Sequence, residues 1–331
     1  MDFVSHGPAK RRPQLLVTRR LPSAVEQHLR AQFDVQLNEQ DAPLSRNGLR
    51  DAMTRYDAIC PTITDRFDAE LIATPGATVR LLANFGAGFE HIDLAAAERA
   101  GIIVTNTPDA LSEATADLAV MLILMAARRA GEGERELRAG RWAGWRPTHM
   151  MGQGVSGKTL GLVGFGRIAQ ATAARAAAFG MRIRYHSRRP APVETEAALA
   201  ASRAPSLEVL AEEADILSLH VPGGSETFHL VDERLLARMK PSAILINTAR
   251  GSIVDEAALA AALRSNRLAA AALDVFEREP AIHPELAMLE NVVLLPHLGS
   301  ATVETRTAMG MQAAANLEAF FAGREPPNRV A

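Results

Sequence analysis

From residue 14 onward, short apolar runs alternate with segments whose apolar residues recur every three to four positions. Residues 14–18 (QLLVT) read as a strand, and Val25, Leu29 and Phe33 behind them share one helical face. The alternation returns at 57–60, 79–84 and 101–105, the last preceded by a short helical segment at 94–100. Strands that alternate with helices fold as a parallel sheet, here a small one. A long helix is predicted at 112–129, followed by a Gly- and Arg-rich stretch, 131–158, that reads as loop. A second series begins at Thr159, with strands predicted near 159–163, 181–186, 215–219, 243–247, 269–274 and 292–295. This series predicts a Rossmann-type doubly wound sheet. The last helix, 302–321, is Ala-rich and amphipathic and is expected to return to the first sheet. The chain is thus expected to be a two-domain α/β protein, with residues 1–107 plus 300–331 in one domain and 108–299 in the other.

Composition removes several alternatives. Of 331 residues, 48% are hydrophobic and 22% charged, which a disordered chain would not show. The 36 Lys and Arg balance 38 Asp and Glu, so no bulk field draws the chain to nucleic acid or an anionic membrane. Cys60 is the only cysteine, which excludes an intramolecular disulfide and a cysteine-held zinc; a reducing, cytoplasmic setting and no metal are expected. The N-terminal residues lack the apolar core of a secretory signal and read as a frayed tail. The most apolar run, 118–127, is too short to cross a bilayer of about 30 Å and reads as a helix buried all round.

The clearest chemistry lies at 160–169, LGLVGFGRIA, followed by a small-residue helix and the strand MRIRYH. Gly164 permits the tight turn, and Gly166 removes a Cβ that would block a phosphate. Arg167 and Ile168 then open the helix whose first N–H groups can hold a pyrophosphate. Ala169 stands where the fingerprint tolerates a small residue in place of the third glycine. At the end of the next strand an NAD-binding unit usually carries a carboxylate for the ribose 2′-OH. Here Ser187, Arg188 and Arg189 occupy that place, and a guanidinium fork suits a 2′-phosphate, so NADP(H) is the expected cofactor with NAD(H) as the alternative. The plainer reading is two solvated arginines at a strand end.

Arg250, Glu279 and His297 each follow a predicted strand, on the rim where open parallel sheets bind ligands. Reduction of a 2-oxo acid requires a cation for the carboxylate and the polarised carbonyl, and an acid for the developing alkoxide. These residues supply both, since a carboxylate beside an imidazole favours its protonated form.

Five segments together resemble the D-isomer-specific 2-hydroxyacid dehydrogenases: NFGAGFEHID (84–93), GKTLGLVGFGRIA (157–169), LINTARGSIVDEAAL (245–259), ALDVFEREP (272–280) and LLPHLGSAT (294–302). The resemblance spans nearly the whole chain from residue 14. Within the family it points to the glyoxylate and hydroxypyruvate reductases through GRWAGWRP (140–147) and the Ser-Arg-Arg of the second strand. It implies a flavodoxin-like substrate domain for 1–107 plus 300–331, and an Arg/Glu/His triad of Arg250, Glu279 and His297, with His297 as the acid in reduction. It further implies that the Gly86-Ala87-Gly88 turn offers N–H groups to the substrate carboxylate. Cofactor contacts are implied for Thr115, His220, Val221, Pro222, Thr227, Thr248, Ala249, Arg250, Asp274, His297 and Gly299, with Asp274 on the nicotinamide amide. A homodimer is implied too, in which Trp145, or else Trp142, reaches the partner's active site; the alternative for both is packing. The sequence departs from the family at Ala169 and at Gly223-Gly224-Ser225, and no regulatory extension is expected after the last helix. Two further readings stay open: the same chemistry on a larger 2-oxo acid, and a dinucleotide-sensing interaction protein without turnover.

Overall fold

The computed structural model describes residues 11–331, which divide into two compact units, one running to Leu111 and resuming at Thr302, the other spanning Ser112–Ala301. The first unit holds five parallel strands: β1 (Gln14–Val17), β2 (Asp34–Leu37), β3 (Ala58–Cys60), β4 (Leu81–Ala83) and β5 (Ile103–Thr105). Their order is β2-β1-β3-β4-β5, the flavodoxin order. Leu15, Val17, Ala58, Cys60, Leu81 and Ala83 face one core, with Val25, Leu29, Ala313 and Leu317 from helices. Leu16, Ile59, Leu82 and Val104 face the other, against Leu49, Met53 and Leu71. Burial on both faces is what makes these strands read as unbroken apolar runs. The last helix, Val303–Phe321, packs in this unit as its pattern predicts, and the Thr302 hydroxyl caps it by accepting from the Thr305 N–H. Burial also pushes the Cys60 thiol up to about 12, which leaves it an inert core residue.

The second unit holds β6 (Thr159–Val163), β7 (Arg182–His186), β8 (Ala201–Arg203), β9 (Ile216–Leu219), β10 (Ile244–Asn247), β11 (Ala270–Leu273) and β12 (Val292–Leu294). Their order is β12-β11-β10-β9-β6-β7-β8, all parallel, so the chain winds outward from β6 in both directions. This is the doubly wound sheet, and the switch point lies between β6 and β9.

Four features differ from the pattern reading. The edge strands β2 (DVQL) and β8 (ASR) carry too few apolar residues to announce themselves, because one face of each meets solvent. The long helix ends at Ala127 rather than at residue 129, since Arg129 takes a left-handed φ of 53°. It is not buried all round: Glu113, Asp117 and Met121 form an exposed stripe, and Arg175 pairs with both acids. The stretch 131–158 is not all loop, for Ala130–Arg138 is helical despite two glycines, supported by the ion pairs Arg129–Glu132 and Arg138–Glu134.

Candidate active site

In the second unit β6 delivers the chain into Gly164, whose φ of 88° excludes most side chains. A Cβ there would also lie 2.6 Å from the His220 carbonyl oxygen at the end of β9. The turn therefore needs glycine twice over. Gly166 then precedes the helix Arg167–Ala178 with no side-chain cap, and a Cβ built on it meets nothing within 4 Å. The N–H groups at the start of this helix, those of Ile168 and Ala169 among them, open onto that space, a cradle for a diphosphate. Ala169 is fully buried in the core beside Leu160 and Leu162, so its methyl points away from the cradle. Thr248, just past β10, has a buried hydroxyl with no partner in the described chain, an unmet polar atom of the kind a bound polar group satisfies. The residues present fit a dinucleotide.

Tyr185 anchors the loop that follows β7. Fully buried, it stacks on Phe165 at 4.0 Å, donates from its hydroxyl to Glu196 and accepts from the Ala191 N–H, fixing both ends of the loop that follows β7. On that loop the Ser187 hydroxyl donates to the Arg189 carbonyl, and Arg203 donates to the Ser187 carbonyl. Arg188 is not unopposed. It pairs at 2.6 Å with Glu226, which sits in the Gly223-Gly224-Ser225 loop and which the pattern reading does not single out. Both side chains are largely exposed, so the pair is worth little and yields readily to a stronger anion.

On the other side of the switch point, Thr227 donates to the Pro222 carbonyl and holds the loop after β9. The His220 ring shares a 2.9 Å hydrogen bond with the Ser218 hydroxyl, and burial pushes its pKa down to about 4. His220 is therefore neutral near pH 7 and is no proton donor.

Two of the three rim residues, Glu279 and His297, bond to each other within this unit, and the charge of the third, Arg250, acts on Glu279. His297 adopts a left-handed φ of 55° and its Nδ1 donates to Glu279 Oε2 at 2.9 Å, which leaves Nε2 for a substrate. Glu279 Oε1 accepts the Phe276 N–H. Burial raises the Glu279 carboxyl pKa, but the His297 hydrogen bond and charge, the Phe276 N–H and the Arg250 guanidinium together pull it below its ordinary value. Arg250 is half-buried, donates to the Ala249 carbonyl and is held at its own carbonyl by the Asn247 amide.

Asp274 is fully engaged locally. Its Oδ1 accepts from Leu298 N–H and its Oδ2 from Gly299 N–H, while its carbonyl accepts from His297 N–H. Thr115 donates to the Gly299 carbonyl. Both residues thus fix the loop that presents His297 in its strained conformation, at a cost of roughly 1 kcal/mol or more met by these bonds. Burial holds the Asp274 carboxyl pKa above its usual value.

In the first unit the Gly86-Ala87-Gly88 turn follows β4. Gly86 differs from expectation: its N–H donates to the Asn84 carbonyl, so it is spent, whereas the N–H groups of Ala87 and Gly88 meet no acceptor among the described residues. Asn84, fully buried, donates to the Gly86 and Gly88 carbonyls, and Asn106 donates to the Ala87 carbonyl. These two asparagines shape the turn and carry no sequence signal beyond their polarity beside apolar strands. Trp145 and Trp142 are 82% and 51% exposed, and neither packs in a core. No cluster of metal ligands exists among the described residues, and no helix there is long and apolar enough to cross a membrane.

A doubly wound sheet with a glycine cradle and an acid–imidazole pair on its rim defines a nicotinamide-dependent dehydrogenase. The chain belongs to the D-isomer specific 2-hydroxyacid dehydrogenase family: the profile of that family's NAD binding domain matches residues 120–299. It is 44% identical over 324 residues to the glyoxylate reductase of Thermococcus onnurineus, covering 96% of each chain. It is 46% identical over 328 residues to the glyoxylate reductase of Aeropyrum pernix, covering 97% of this chain and 96% of the other. It is also similar to the crystal structure of an NADPH-dependent glyoxylate/hydroxypyruvate reductase from Sinorhizobium meliloti in complex with NADP and malonate. That match has a TM-score of 0.85 and 37% identity, and covers 97% of both chains. The cofactor class is thus a nicotinamide dinucleotide.

Proposed function

We propose that this protein reduces a small 2-oxo acid of the glyoxylate or hydroxypyruvate type to the 2-hydroxy acid, with NADPH preferred over NADH. The observation that carries the reading is the 2.9 Å His297–Glu279 pair within the field of Arg250. When bound, the reduced nicotinamide supplies a hydride. His297 Nε2 gives its proton to the carbonyl oxygen as the C=O π bond breaks and a C–H and an O–H bond form. Glu279 orients the ring and carries the charge opposite it throughout. Arg250 binds the carboxylate and draws electron density toward the carbonyl oxygen. The N–H groups of Ala87 and Gly88 are assigned to the substrate carboxylate. The cradle of Arg167 and Ile168, with Thr248 and the loops at 220–227 and 297–299, is assigned to the dinucleotide.

Similarity to glyoxylate reductases and to an NADP-bound relative supports this reading over a sensor without turnover, as does the intact acid–imidazole pair. The test is a panel of 2-oxo acids, small and large, run with each dinucleotide. Oxidation of NADPH by glyoxylate or hydroxypyruvate is expected, and dinucleotide binding with no turnover of any 2-oxo acid would establish the sensor instead. For the cofactor preference, Arg188→Ala should raise KM for NADPH about tenfold or more while leaving that for NADH nearly unchanged, because only the 2′-phosphate differs. Equal changes for both would remove Arg188 from that phosphate.

The protein is further proposed to be cytoplasmic, and to be a homodimer because Trp142, Trp145, Leu137 and Met151 are all exposed large apolar side chains. Light scattering at micromolar concentration should give twice the chain mass of 35.5 kDa, and a single-chain mass would leave Trp145 without a partner site.

A further inference from the structure

One buried acid of the second unit has no part in the chemistry proposed above. Glu256 is 4% exposed and stands at the first position of the helix Glu256–Arg264, after Asp255, whose side chain caps that helix by accepting from Ala258 N–H. Its Oε1 accepts the Glu277 N–H at 2.8 Å. Glu277 opens the segment that presents Glu279. That segment folds tightly, with Ala281 N–H bonded to the Arg278 carbonyl and Phe276 N–H, just before it, to the Glu279 side chain. Next to Glu256, Gly251 brings the backbone so close that a Cβ on it would lie 1.8 Å from the Phe276 carbonyl carbon. A carboxylate hidden from water at this cost must have a use.

We infer that Glu256 is a positioning residue, which ties the start of the 277–283 segment to a helix N-terminus and so fixes Glu279 opposite His297. This rests on the reductase reading for its kinetic consequence, though not for the docking itself. A buried carboxylate bonded to a backbone donor two residues before Glu279 holds that stretch of loop in place. A displacement of Glu279 by about 1 Å would cost on the order of 10² in rate. The effect should fall on kcat, because the dinucleotide cradle lies on other segments.

The experiment compares E256A and E256Q with wild type in steady-state kinetics and in amide hydrogen exchange. E256A should lose roughly 10- to 100-fold in kcat with KM for NADPH little changed, and exchange across 277–283 should quicken. E256Q keeps an oxygen acceptor and should recover most of kcat. In wild type the Glu277 amide should be as protected as the amides of β11. An E256A enzyme that folds and turns over normally would overturn the inference, as would an unprotected Glu277 amide in wild type. If E256A fails to fold, E256Q and the wild-type amide still decide. Should wild type reduce no 2-oxo acid, the reductase reading fails alone, and the exchange data still judge the docking.

Discussion

His297→Ala is expected to lower kcat for reduction by roughly 10² to 10⁴, with the dinucleotide KM barely moved. The His297 Nδ1 is bonded to Glu279 at 2.9 Å, which leaves Nε2 as the ring nitrogen available to the substrate oxygen. The other histidine of this rim, His220, is held near a pKa of 4 by burial and is neutral at working pH, so it cannot substitute. Stopped-flow and steady-state assays on a folded variant with intact dinucleotide binding check the expectation. Turnover close to wild type would transfer the acid role to water or to another side chain.

Glu279 sets the acid side of this behaviour. Its pKa lies below the ordinary carboxylate value in the folded chain, so its contribution to stability is present above the unfolded value and lost as pH falls through the folded one. Within that window the ring keeps its counter-charge. The pair is therefore robust to mild acid, which suits a step that consumes a proton.

The second unit was legible in the sequence because its strands are buried on both faces. Runs such as TLGLV and AILIN have no choice but to be interior, and Gly164-x-Gly166 between strand and helix has a conformational and a steric cause that leave the same mark. The Glu279–His297 pair was legible only in part: each residue follows a strand, but the two are 18 positions apart and no spacing rule joins them. What stayed hidden depends on tertiary contact. Glu226 opposite Arg188 comes from a loop 38 residues away, and Glu256 looks in sequence like an ordinary first-turn acid of a helix. The roles of Asn84 and Asn106 are likewise set by tertiary contact, their amides bonding to carbonyls of the Gly86–Gly88 turn. Edge strands escaped for the opposite reason, since partial solvation lets DVQL and ASR carry polar residues that blur the alternation.

Gly251→Ala should be the most damaging single methyl in the second unit. The added Cβ would sit 1.8 Å from the Phe276 carbonyl carbon and 2.3 Å from the Glu277 nitrogen, both backbone atoms that cannot rotate away. Overpacking against side chains costs about 1–3 kcal/mol, and here backbone must move, so about 3 kcal/mol or more is expected. For a unit of this size that corresponds to a Tm lower by roughly 6–12 °C. The direction of the movement matters as much as its cost. Gly251 follows Arg250, and Phe276 and Glu277 lead into Glu279, so the wedge opens the space between the guanidinium and the carboxylate it acts on. At a temperature where the variant is fully folded, kcat should still be down by about tenfold or more, because the acid–imidazole pair no longer faces the cation at its native separation. A thermal scan paired with assays below the transition checks both parts. A variant with the Tm and kcat of wild type would mean that the two backbone segments are not in contact, and the convergence of Arg250 with Glu279 would lose its support.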